Sequence, residues 1–302
     1  LAQTVPCEIL VSDDASPDAG FARAQAFLET NPPMGAAHVV RLQRQPVNLG
    51  LTAHLSKLIE ESRGEILVVM AADDVSEPNR VAALLAAFDA DPSAHVAGSA
   101  WLAFGDNQPD APGRSRLPTR FTLEAFVDSG RMSTLLGATI AFRRAVVERL
   151  GPLAGHVEDN VLSLRGALLG GGINLPEPLV RYRRSPQSLG NWLFARGDTS
   201  PDARVRRYRR TVAMYRAVAD DLERAVSVIE RDGPLPPVDA RAAADIIAMY
   251  RIEADAREAM LDRPRGEWVR PILAGLRQRG LRRKSAERAL KLLLPRRWLG
   301  LD

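Results

Sequence analysis

Short apolar runs alternate with amphipathic stretches through the first third of the chain. Residues 7–12 (CEILVS), 38–42, 66–70 (ILVVM) and 95–104 have the length and composition of strands. Helical spacing of apolar residues predicts helices over 21–28, 51–62 and 81–88 between them. Asn31-Pro32-Pro33 stops the first helix, and Asn48-Leu49-Gly50 makes a turn before the second. The mainly apolar run 7–12 and the unbroken apolar run 66–70 predict strands buried in the sheet, the latter on both faces. Alternation at this spacing predicts an α/β fold with a mostly parallel sheet and right-handed crossovers. The polar, proline-rich stretch 106–118 marks a change of organisation. A short helix over 122–128 is expected next, then an apolar run over 135–142, a helix from Arg143, and one carrying Val161, Leu164 and Leu168. An extended stretch over 173–184 follows. Beyond it, Val205, Tyr208, Val212, Tyr215, Ala219, Leu222, Val226 and Ile229 recur three and four apart. The stripe breaks at 232–237 and resumes with Ala243, Ile247, Tyr250, Ala254 and Leu261, which predicts an antiparallel helical hairpin packed on itself. Three parts are therefore expected, over 1–104, 105–190 and 191–302.

Charge adds one thing to this picture. The chain of 302 residues carries +4 overall, yet residues 263–297 hold twelve Arg or Lys against Glu267 and Glu287, leaving −6 for the rest. Within that end, 281–294 (LRRKSAERALKLLL) is basic and amphipathic, and reads either as an interfacial helix beside anionic lipid or as a domain-closing helix with a solvated face. Nearly all the basic residues are arginine, Lys57, Lys284 and Lys291 being the only lysines; the arginine count alone is no argument for nucleic acid, and none is expected as a partner. The single cysteine, Cys7, excludes an intramolecular disulfide and suits a reducing compartment. No apolar run reaches the roughly eighteen residues of a membrane span. The chain opens at Leu1 without a methionine, in what reads as the middle of an element, so a truncated N-terminus is expected.

Acidic pairs close the apolar runs. Asp13 and Asp14 follow the first, Asp73 and Asp74 follow the third, and Glu158 with Asp159 opens a helix after a glycine-containing loop. In open α/β sheets ligands bind beyond the carboxyl ends of the strands. Adjacent carboxylates there are hard oxygen ligands for magnesium or manganese. Each pair also has a plain reading, as turn residues, as helix caps, or as charges serving the dipole of the helix they open. That dipole is expected to hold Asp159 ionised.

EILVSDDASPD, then NLGLTAHLSKLIEESRGEILVVMAADDVSEPNRV, then VEDNVLSLRGALLGG and LVRYRR resemble, in this order, the family 2 inverting glycosyltransferases of GT-A fold. The resemblance covers roughly residues 1–190. It implies a GT-A (Rossmann-like) domain flanked by helices, with 1–104 binding a nucleotide sugar, 105–190 binding the acceptor, and 191–302 as a C-terminal helical extension. It further implies transfer of a sugar from a nucleotide-diphosphate donor to an acceptor hydroxyl with inversion, in bacterial surface polysaccharide synthesis. By position, Asp13 and Asp14 would contact base and ribose, with Asn48 and Gly50 lining the same pocket. Asp73 would hold a divalent cation (manganese or magnesium), with Asp74 beside it. Asp159 would be the catalytic base with Glu158 its neighbour, and Arg183 and Arg184 would meet the diphosphate. Ala71 stands where many members have the first acid of the DxD element, Ser185 where many have a metal-binding histidine, and the family's first strand and helix belong before Leu1. A nucleotidyltransferase of related architecture, or an inactive homologue acting as a scaffold, are the alternatives. The expected partners are the donor, a glycan or lipid-linked acceptor, and an anionic membrane surface, for a cytoplasmic enzyme peripheral on the inner face of the cell membrane.

Overall fold

The computed structural model describes residues 2–31, 38–105, 110–130, 132–153, 155, 157–184 and 200–292. His156, Ser185 and the end of the basic stretch at 293–302 lie outside the described residues.

Strand β1 (Cys7–Asp13), helix α1 (Gly20–Thr30) and strand β2 (His38–Arg44) form a parallel crossover, paired from Cys7↔His38 to Asp13↔Arg44. Helix α2 (Leu51–Glu61) leads to β3 (Ile66–Val68), and β4 (Val75–Ser76) precedes α3 (Arg80–Ala90) and β5 (Val96–Phe104). After β6 (Ala111–Gly113), β7 (Arg120–Phe121) and α4 (Leu123–Ser129) come β8 (Ala141–Arg143), α5 (Ala145–Leu150), α6 (Glu158–Leu169) and β9 (Gly172–Arg183). The second sheet has the order β3-β8-β5-β9-β4, with β6 on β5 and β7 on β9. The α/β class holds, and the two longest ladders, β1–β2 and β5–β9, are parallel. The five short pairings are antiparallel, so the sheet is mixed.

The apolar run of β5 is the centre of this sheet, with Val96 to Ala100 all buried. On one face Leu84 and Phe88 of α3 pack against Ala97, Ala141 and Ile173. On the other, Val96 and Phe142 meet Phe126 of α4, Val146 of α5 and Val161, Leu162 and Leu164 of α6. Fully burying each large apolar side chain contributes about 1.5–3 kcal/mol. The expectation of burial for 7–12 and 66–70 is corrected. Every residue of β1 and β3 is only half-buried, and Met70 is 49% exposed. Among the described residues no strand pairs with the second edge of β1 or the outer edge of β3, so both lie at sheet edges, where Leu67 packs on one core cluster and Ile66 and Val68 on the other without full enclosure.

Helices α7 (Pro201–Ile229) and α8 (Pro237–Asp262) each start with proline, whose fixed φ suits a first helical turn. Ion pairs Arg251–Glu223 and Arg216–Glu258 run in opposite order along them, as an antiparallel hairpin requires. Their buried stripe includes Val212, Tyr215, Leu222, Ile246 and Tyr250, and it continues into the core of α2, α4 and α6 instead of closing on itself. One buried ion pair crosses this junction. The Arg165 guanidinium of α6 donates to both oxygens of Asp221 on α7, at 2.8 and 2.7 Å, and to the carbonyls of Gly151 and Pro152.

Two short helices close the described chain, α9 (Val269–Arg277) and α10 (Arg282–Lys291). In α10 the side chains of Ser285 and Arg288 are buried against α8. Glu253 of α8, fully buried, takes ion pairs from Arg257, Lys284 and Arg288. Burial opposes ionisation of Glu253, but these three cations, Arg288 foremost, hold its carboxyl far below the usual range. Part of the basic charge of 281–294 is thus spent inside the protein. Among the described residues no helix is long and apolar enough to cross a membrane.

Candidate active site

The end of β1 and the start of α2 are locked together by Asp14. Its carboxylate accepts the backbone N–H of Leu49 (2.9 Å) and of Gly50 (2.8 Å), while the Asn48 side chain donates to the Asp14 carbonyl at 2.9 Å. Gly50 sits at φ +79°, a conformation costly for any residue with a Cβ, and this lets the chain turn into α2. Asp13 faces its neighbours differently. It accepts the Ser16 N–H and pairs with Arg44 at 2.9 Å, and these contacts, Ser16 first, hold its carboxyl below the usual range. Behind it the Ser12 hydroxyl and His54 Nε2 lie 2.7 Å apart. The structure therefore brings together Asp13, Asp14, Asn48 and Gly50 as the sequence arrangement suggested, and adds Arg44 and His54.

Asp73 and Asp74, beyond β3, part company. Asp74 is buried, at 6% exposure. Its Oδ1 accepts the Arg183 backbone N–H at 2.7 Å, its Oδ2 is buried without a partner, and burial raises its pKa. Beneath it lies Arg80, also buried, which donates to the Ser76 hydroxyl and to the carbonyls of Val69 and Ala138. Burial brings the Arg80 guanidinium down to about 10, against the opposing pull of Asp74. Asp73 by contrast is exposed, and only its carbonyl is engaged, by Arg183 Nε at 2.9 Å. The Arg183 guanidinium stacks over the Phe104 ring, 4.5 Å from its centroid. Arg184 follows, its N–H bonded to the Phe104 carbonyl at 2.7 Å. Arg183 thus meets the acidic pair from β9, the strand paired with β4 just after Asp74.

Glu158 and Asp159 form the first turn of α6. Glu158 Oε1 sits where a Cβ on Gly137 would come within 2.5 Å, so a side chain there would displace the carboxyl. Burial, reinforced by the charge of Asp159, pushes Glu158 up to about 7. Burial pushes Asp159 up to about 6. The helix dipole favours the charged forms, but desolvation raises both groups, so Asp159 is ionised at neutral pH with less margin than an ordinary carboxylate. Both carboxyls are poised within a unit or so of neutrality, as proton-transfer groups need to be. Asn160 next to them is fixed by a hydrogen bond to the Tyr250 hydroxyl at 2.9 Å, so the hairpin holds the start of α6 in place.

Two contacts tie the surroundings of these acids together. Thr52, in the first turn of α2, donates to the Gly155 carbonyl just ahead of Glu158, at 2.7 Å. Arg80 donates to the Ala138 carbonyl, next to Gly137, and acts on Asp74 through its charge alone, without a hydrogen bond between them. Among the described residues no three His, Cys, Asp or Glu side chains converge as a ready metal site. Sequence reasoning missed Arg80, Tyr250, Arg44 and His54. Only Arg80 carried a signal, a cation opening an otherwise apolar helix six residues after the acids.

The sequence model of glycosyl transferase family 2 matches residues 1–151, half of the chain. The chain belongs to glycosyl transferase family 2. Its fold is the GT-A fold of such enzymes. One similar solved structure is S. aureus TarS residues 1–349 in complex with UDP-GlcNAc. It has a TM-score of 0.52 at 12% identity, over 95% of this chain and 85% of that one. Another is the mannosyltransferase PcManGT from Pyrobaculum calidifontis, in complex with GDP-Man and Mn2+. Its TM-score is 0.49 at 18% identity, over 99% of this chain and 76% of that one. At such identities the likeness is one of fold. No curated protein matches the sequence. Within this glycosyl transferase the family match ends at residue 151, so Asp159 and Arg183 rest on the geometry above.

Proposed function

We propose that this glycosyl transferase moves a sugar from a nucleoside-diphosphate donor to an acceptor hydroxyl with inversion, in the synthesis of a bacterial surface polysaccharide. The observation that carries the reading is the Glu158–Asp159 pair. Its carboxyls are desolvated in the first turn of α6, and Asp159 lies near 6, able to take a proton from a hydroxyl.

In this mechanism Asp159 accepts the proton of the acceptor hydroxyl as its oxygen bonds to the anomeric carbon. The bond from that carbon to the donor phosphate oxygen breaks on the opposite face, and the nucleoside diphosphate leaves with its electron pair. One displacement inverts the anomeric centre and needs no protein nucleophile. Asp13 with the Asp14–Asn48–Gly50 turn would receive the nucleoside. Arg183 and Arg184 would meet the diphosphate, where guanidinium groups give paired contacts to phosphate oxygens.

A divalent cation fits the acids that are present. Asp73 offers an exposed carboxylate, and Asp74 Oδ2 beside it is buried and unpartnered. Magnesium and manganese are commonly held by one or two carboxylates, with waters and substrate phosphates completing the shell. Bound there, the cation would supply charge neutralisation for the leaving diphosphate.

The test is incubation with UDP-, GDP- and dTDP-sugars and manganese, reading released nucleoside diphosphate and, by NMR, the anomeric configuration of the product. Release from one donor with an inverted product is expected. A retained configuration contradicts the single displacement, and donor binding without turnover on any acceptor supports a scaffold.

A further inference from the structure

The basic end of the chain divides into two faces. On the inner face, Lys284 and Arg288 of α10 are paired with Glu253. On the outer face, α9 shows the reverse of what a domain-closing helix needs. Val269, Leu273 and Leu276, at positions i, i+4 and i+7, are 39%, 47% and 36% exposed. That spacing puts them on one side of the helix. The helix has no need of that side for packing, because Ile272 and Gly275 are already buried on the other, where Ile272 meets Trp268 and Met260. Leu290 on α10 is 65% exposed. Arg270 and Arg277 are exposed, and at about 100° per residue they flank the apolar strip on one side. Together with exposed Arg282 they form no ion pair among the described residues. Single exposed leucines are ordinary, but three aligned on one helix beside unpaired arginines are a built surface.

We infer that the outer face of α9, with Arg270 and Arg277 along its flank, is a docking surface for a bilayer containing anionic lipid. An apolar strip with a cationic flank on a helix too short to span is the arrangement that lies in the headgroup plane. The unpaired arginines select negative headgroups, and the leucines and valine provide the apolar contact. This relocates the lipid contact from 281–294, whose Lys284 and Arg288 face inward, to the preceding helix. It also gives the active site an orientation. Helix α8 holds α10 through Glu253 and holds Asn160, next to Asp159, through Tyr250 one turn earlier. A membrane-bound α9–α10 unit would thereby present the acceptor half of the enzyme at a fixed height above the lipid.

The test is cosedimentation of the 302-residue chain with vesicles of phosphatidylcholine alone and of phosphatidylcholine with phosphatidylglycerol, at low salt. Wild type should partition onto the anionic vesicles only. Arg270→Gln with Arg277→Gln should weaken partitioning about 30-fold, since each arginine near an anionic surface counts for about fivefold. Leu273→Ser with Leu276→Ser should weaken it about tenfold or more, on exposed positions that leave the fold and its circular dichroism unchanged. Donor hydrolysis in solution should be the same in all three proteins, so loss of lipid binding and loss of transferase activity remain separate results. Wild type that ignores anionic vesicles overturns the inference, as does a leucine variant that binds like wild type. A dimer that the leucine changes dissociate, with no vesicle binding, assigns the strip to a second copy and overturns it as well.

Discussion

Replacing Asp159 by Asn should stabilise the protein while disabling it. Burial lifts the Asp159 carboxyl from its ordinary 3.8 to about 6. In the unfolded chain the group ionises at its ordinary value, so between these values the folded state binds the extra proton. Stability therefore falls as pH rises through this window, and the penalty is complete above about pH 6. At 1.36 kcal/mol per unit the shift is worth on the order of 2 to 3 kcal/mol. Asn keeps the size of the side chain and the acceptor oxygen for the Asn160 N–H, which Asp159 Oδ1 binds at 2.7 Å. It carries no charge to desolvate. Urea unfolding at neutral pH should find Asp159→Asn more stable by about that amount, and the gap should close below about pH 4. In the wild type, the acid limb of kcat/KM should have its midpoint near pH 6. A variant no more stable than wild type at neutral pH would refute the desolvated carboxyl and leave Asp159 an ordinary helix-opening residue.

Three further outcomes are expected. Arg165→Met leaves Asp221 with Arg224 as its remaining cation and frees the carbonyls of Gly151 and Pro152, so urea unfolding should show a loss of about 2–4 kcal/mol, partly restored by adding Asp221→Leu. Asp73→Asn should abolish manganese-dependent binding of the nucleoside diphosphate in calorimetry with the fold intact, because Asp74 has one oxygen committed to Arg183. Asp14→Ala should cost about 0.5–1.5 kcal/mol, since the exposed Leu49 and Gly50 N–H groups can turn to water and Gly50 keeps the Asn48 side chain, and should weaken nucleotide binding through the loosened turn.

The sequence pattern carried most elements to within a few residues, because apolar period and turn chemistry are local. β5, α3, β9 and the hairpin were legible in this way. The sheet pairing was not. β8 is three residues inserted between β3 and β5, and nothing in Ala141–Arg143 announces an antiparallel partner. Burial was misjudged for β1 and β3 because the apolar run tells of a suitable strand, not of whether it lies at the edge of its sheet. At the site the acids were readable as types at strand ends. Their division of labour was not, since Asp73 and Asp74 are adjacent and chemically alike. Only the fold shows that Arg183, 109 residues on, takes Asp74 for itself and leaves the Asp73 carboxylate free. Tyr250 was invisible for the same reason, and Arg80 offered only its place at the head of an apolar helix: a buried arginine or tyrosine is read from what surrounds it. The charge of 281–294 was readable as a total only, because counting basic residues does not reveal that Lys284 and Arg288 turn inward to Glu253.

The central claim is that Asp159 removes the acceptor proton. Single-turnover transfer with wild type, Asp159→Asn and Glu158→Gln, alongside donor affinity for each, tests it most directly. Positioned base catalysis contributes about 10²–10⁴-fold, so Asp159→Asn should slow transfer by about that factor with donor affinity near wild type, and Glu158→Gln by far less. Wild-type transfer by Asp159→Asn, or failure of Glu158→Gln in its place, would contradict the account.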